Sequence, residues 1–140
     1  MESLCYDVPV PDPRQLPADL AAIVQGHPAL RLLVLFGSRA RADARPTSDW
    51  DLGYVAADGL DPDALLLDLV RALGTDRVDL VDLDRAGAQI RYRAAAEGRV
   101  VHEGHPGAFA EFWLAAVDFW CDVEPVLRAG YADVLNRLRP

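Results

Sequence analysis

The segment from residue 30 to residue 56 narrows the possible folds more than any other. Leu30 to Phe36 is apolar apart from Arg31, and Gly37-Ser38 stops it. A short apolar run closed by a turn residue reads as a strand buried on both faces. Ten residues after Gly-Ser comes Asp49-Trp50-Asp51, and residues 50–56 read as a second strand. Side chains at i and i+2 leave a strand on the same side, so both carboxylates share one face and Trp50 takes the other. Two neighbouring carboxylates repel and resist joint ionisation. A divalent cation between them relieves that repulsion, and hard oxygen ligands suit Mg2+ or Mn2+.

Asp79 is the natural third member. It falls in a third predicted strand, residues 77–83, beside apolar Val78, Leu80 and Val81. A carboxylate within a strand is costly unless something pairs with it. Asp82 points to the opposite side by parity, and Asp84 follows Asp82, so alternation selects Asp79. Three carboxylates on adjacent strands can hold two metals at the spacing used for in-line phosphoryl displacement. Gly37 lets a backbone come close to a phosphate. Residues 38–43 read as a short helix capped by Ser38, whose free N–H groups would face an anion. Arg39 and Arg41 add charge for a triphosphate tail.

The rest of the chain supplies a scaffold. Four prolines near the start predict an extended arm over residues 7–13, with Pro17 in the first turn of a helix carrying Leu20, Ile23 and Val24. Asp61 and Pro62 open a helix that ends at Gly74. Residues 86–97 read as a helix, and residues 99–102 as a short edge strand. From Phe109 to Val123 apolar residues recur at steps of three and four, marking an amphipathic helix. Pro125 is expected to interrupt it before a last helical piece. Most of that aromatic stripe should pack on the sheet, with part left for a partner. The strands at Leu30 and Trp50 should be antiparallel, and the helical crossover sets the Asp79 strand parallel to the Trp50 strand. The expected fold is α/β (α+β): a small mixed sheet flanked by helices, with a C-terminal helical extension. His27, His102 and His105 show no metal-ligand spacing, and Arg91 and Arg93 read as solvated helix residues.

Composition removes other classes. The chain has 140 residues, enough for one core, and 51% are hydrophobic, too many for a disordered chain. No apolar run approaches the roughly 20 residues of a membrane span, and residues 1–10 show no secretory pattern. The net charge of −8 argues against direct nucleic-acid binding. Cys5 and Cys121 form no metal or redox spacing, so a cytoplasmic location with reduced thiols is expected.

Gly37-Ser38, ten residues, Asp49-x-Asp51, then Val78-Asp79-Leu80-Val81: on these residues the chain resembles the minimal nucleotidyltransferases of the DNA polymerase β-like superfamily. Its length and tail look most like the MntA-type antitoxin adenylyltransferases that pair with HEPN toxins. The resemblance covers about residues 15–105 of a single domain over 1–140, with C-terminal helices over about 107–138. It implies transfer of AMP from ATP to a tyrosine hydroxyl of a HEPN RNase, which silences the toxin, in an oligomer with that toxin. By match of motif, Gly37 and Ser38 would hold the triphosphate, and Asp49 and Asp51 would bridge two Mg2+ ions. Asp79 would complete the ion nearer the nucleophile and take the acceptor's proton. Trp50 departs from the aliphatic residue usual in the family. Two other readings stay open: an antitoxin that acts by binding alone, and a nucleotidyltransferase for a small-molecule acceptor.

Overall fold

The computed structural model describes residues 20–41, 45 and 47–139. The predicted arm over 7–13, Pro17 and residues 42–43 of the predicted Ser38 helix lie outside them. The elements run α1 (Leu20–Gln25), β1 (Leu30–Phe36), β2 (Trp50–Ala56), α2 (Pro62–Leu73), β3 (Val78–Asp82), α3 (Ala88–Glu97), β4 (Arg99–Glu103) and α4 (Ala108–Arg137). They build one mixed sheet of order β3-β2-β1-β4. β1 pairs antiparallel with β2 and with β4, while β2 and β3 are parallel. Both expected pairings are therefore present.

β1 is apolar apart from exposed Arg31 because it is central and covered on both faces. Leu33 and Leu35 enter one core with Leu52, Tyr54, Leu65, Leu69 and Val78, under α2. Leu32, Val34 and Phe36 enter a second with Leu83, Ala94, Phe109, Phe112 and Ala116, under α3 and α4. Two glycines make room for this packing. A Cβ on Gly53 would lie 2.8 Å from Leu83, and one on Gly98 would overlap the Ala94 carbonyl and Val34.

α2 begins as its sequence says. The Asp61 side chain accepts from the Asp63 and Ala64 N–H groups at 3.1 and 3.2 Å, Pro62 sits in the first turn, and Gly74 closes the helix at φ +68°. His27, buried before β1, meets Asp68 of α2 at 2.8 Å and ties the two segments together.

Two expectations are corrected. Residues 38–41 form a turn, not a helix: the Gly37 carbonyl accepts from both the Ala40 and Arg41 N–H groups at 3.1 Å. And α4 runs unbroken through Pro125 for 30 residues, about 45 Å. Proline removes one donor and crowds the preceding turn. Here the carbonyl left over belongs to exposed Cys121, where water can satisfy it.

The aromatic stripe mostly packs. Phe109 and Phe112 are buried, and Trp120 stacks on Tyr92 of α3 with ring centroids 5.0 Å apart. The exposed apolar residues lie mainly further along, at Val126, Tyr131, Val134, Leu135 and Leu138. Arg91 also departs from its expected solvation, since its guanidinium lies 5.1 Å from the Phe119 ring centroid.

Candidate active site

Strand parity decides where the acids go. Trp50, Leu52 and Tyr54 of β2, with Val78 and Leu80 of β3, pack into the α2-side core. The alternating residues Asp51 and Asp79 therefore face the α3–α4 side, and the two stand in register on the paired strands. Asp49 immediately precedes β2. Asp49 and Asp79 are exposed, while Asp51 is half-buried. The Asp51 carboxyl is raised above its ordinary value, first by burial and then by the charge of Asp79, with Asp49 adding to it. Arg93 and Arg41 act in the opposite direction. Asp49 and Asp79 thus both lie within electrostatic reach of Asp51.

No three His, Cys, Asp or Glu side chains among the described residues form a ready coordination cage. The chemistry of the donor set nevertheless fits a divalent cation. Three carboxylates whose mutual repulsion already raises one of them gain most from a small, hard positive charge.

Gly37 is the hinge of the site. It has φ +75°, a left-handed conformation that a side chain resists. A Cβ there would overlap the Asp51 carboxylate. Hence the glycine lets strand end and acid come together, while half-buried Ser38 follows in the turn. Arg41 reaches this neighbourhood. Arg39 donates to the Ser48 carbonyl at 3.0 Å and lies 4.3 Å above the Trp50 ring. A cation on an aromatic face is a favourable contact, so this arginine has a local role of its own.

Two residues of the site escaped the sequence reading. Arg93, exposed as expected, lies 5.8 Å from the Phe36 ring centroid and within electrostatic reach of Asp51. Glu97 accepts from the Gly37 N–H at 3.2 Å, pairs with Arg41 at 3.1 Å through both oxygens, and stands 3.9 Å from Arg93. The one signal in the sequence was their i, i+4 spacing, which puts both on one face of α3.

Comparison with known proteins agrees with this geometry. The family model described as polymerase beta, nucleotidyltransferase matches residues 18–106. Protein adenylyltransferase MntA of Aphanizomenon flos-aquae is 29% identical over 97 residues, 61% of this chain and 65% of that protein. The match thus spans just under two thirds of the curated relative. A solved toxin–antitoxin structure with AMP-PNP superposes with TM-score 0.72 at 27% identity, covering 84% of this chain and 96% of the other. A second, of tri-AMPylated Shewanella oneidensis HEPN toxin in complex with MNT antitoxin, gives TM-score 0.64 at 27% identity with the same coverage. With Asp51 and Asp79 in register, the glycine turn against Asp51 and the family model spanning more than half of the sequence, the chain belongs to the polymerase β nucleotidyltransferase family.

Proposed function

We propose that this protein is an antitoxin adenylyltransferase that moves AMP from ATP to a tyrosine hydroxyl of a HEPN-domain toxin and so neutralises it. The reading is supported by Asp51 and Asp79 standing in register on paired strands, with the Gly37 turn against Asp51 and the charge of Asp49 acting on it. The relatives support it. One related structure holds AMP-PNP, and another contains a HEPN toxin that has received AMP.

In the proposed reaction the acceptor oxygen attacks the α-phosphorus of ATP, the bond to the β-phosphate breaks, and pyrophosphate leaves. Gly37 and Ser38 seat the triphosphate, with Arg41 supplying positive charge nearby. Asp49, Asp51 and Asp79 would hold two divalent cations, Mg2+ by preference and Mn2+ as a substitute. Bound there, they neutralise the triphosphate and lower the pKa of the attacking hydroxyl. Asp79, exposed at the edge strand, takes the hydroxyl proton. Such a reaction draws on ATP and Mg2+ and places the protein in the cytoplasm. No helix among the described residues is long and apolar enough to cross a membrane.

The test is incubation of the protein with Mg2+, α-labelled ATP and a HEPN partner from the same organism. Label on the partner's tyrosine, lost in Asp49→Ala and Asp51→Ala, is the expected result. A second reading, neutralisation by binding alone, draws on the exposed apolar residues of distal α4, a surface of the kind that proteins cover with partners. The two separate cleanly: under it, the Asp51→Ala protein still silences the toxin.

A further inference from the structure

We infer that Glu97 is a positioning residue for nucleotidyl transfer, holding the Gly37 peptide in the shape that seats the triphosphate and keeps Asp51 in place. The inference rests on the nucleotidyltransferase reading above. Its basis is convergence. The Glu97 carboxylate takes a backbone N–H from the Gly37 turn at 3.2 Å, Arg41 at 3.1 Å from that same turn, and Arg93 at 3.9 Å from its own helix. Hydrogen bonds to a charged acceptor are the stronger kind, and one carboxylate with two guanidiniums is well matched.

The mechanical connection to the reacting groups is short. Gly37 adopts a left-handed conformation, and the Asp51 carboxylate occupies the space that a side chain there would need. A shift of the Gly37 peptide therefore moves both the phosphate seat and the room available to Asp51. Glu97 is itself fixed. It ends α3, and the next residue, Gly98, is wedged against the Ala94 carbonyl and Val34 at the corner into β4. A misplacement of about 1 Å at reacting groups can cost about 100-fold in rate.

The experiment compares wild type, Glu97→Ala and Glu97→Gln. Three readouts are taken: kcat and KM for AMP transfer, affinity for a fluorescent non-hydrolysable ATP analogue in Mg2+, and melting temperature. Glu97→Ala should lower kcat about 100-fold and weaken analogue binding about tenfold, while melting stays near wild type. Glu97→Gln keeps an acceptor for the Gly37 N–H and should recover transfer to within about tenfold of wild type. An Ala variant that binds the analogue as well as or better than wild type and transfers AMP normally would overturn the inference. So would losses that follow melting temperature alone, or a Gln variant as impaired as Ala. A wild-type protein that binds no nucleotide contradicts the functional reading, and this inference with it.

Discussion

Gly37 concentrates what single residues contribute to this protein. Replacing it with alanine forces a positive φ on a side-chain residue and drives a methyl into the Asp51 carboxylate. The expected outcome is a loss of about 1–2 kcal/mol in stability from the backbone alone, measured by denaturant melts, together with loss of AMP transfer. A wild-type melting curve with full activity would show that the turn tolerates a side chain. Asp51 carries a different signature. Its raised pKa means that ionising it opposes folding, so its contribution to stability is full at low pH and falls as pH rises through that raised value. In EDTA, Asp51→Asn should therefore melt higher than wild type, with the gap widening as pH rises from about 4 to 7. A gap that narrows over that range would contradict the electrostatic picture. At this scale the motif acids and Gly37-Ser38 were readable, because strand parity and a stop residue are local rules. Arg93 and Glu97 were not, since they meet Phe36, Gly37 and Arg41 from 56 residues or more further along the sequence, and only the packing of α3 on β1 brings them there.

Among the elements, α2 shows local rules and tertiary structure in agreement. Its Asp61 cap, first-turn Pro62 and closing Gly74 were all visible as sequence signals. Asp61→Ala should cost about 1 kcal/mol, seen as a lower melting temperature, with AMP transfer unchanged because the cap lies away from the acids. A cap variant that melts normally would mean that packing of Leu65 and Leu69 alone specifies the helix. The helix α4 shows the reverse. Pro125 predicted an interruption, yet the helix continues, because a single lost hydrogen bond on an exposed turn does not outweigh the surrounding residues. Pro125→Ala should restore that bond and slow amide exchange in the distal half of α4. The local gain is up to about 3 kcal/mol, the size of the proline penalty. Unchanged exchange would mean the proline costs little there. The turn over 38–41 was the other departure. Ser38 has a capping side chain, but the Gly37 carbonyl closes the chain on itself within four residues.

As a whole molecule, the protein places its chemistry on one face of a sheet and its exposed apolar residues mainly along the distal half of one long helix. The net charge of −8 makes the acid cluster hostile to a nucleotide without cations, which explains why the reaction should depend on Mg2+. Both strand directions followed from the connections, a short one between β1 and β2 and a helical crossover between β2 and β3, whereas the pairing of β4 with β1 was not legible. The partner and the acceptor leave no comparable mark, because recognition of another protein depends on a surface assembled from many residues. The decisive measurement is transfer of label from α-labelled ATP to the HEPN partner in Mg2+, with Asp51→Asn alongside. Labelling of a partner tyrosine by wild type and a loss of at least about 100-fold in the variant are expected. Equal labelling by the variant, or none by wild type in the presence of bound ATP and Mg2+, would contradict the assignment of these acids to nucleotidyl transfer.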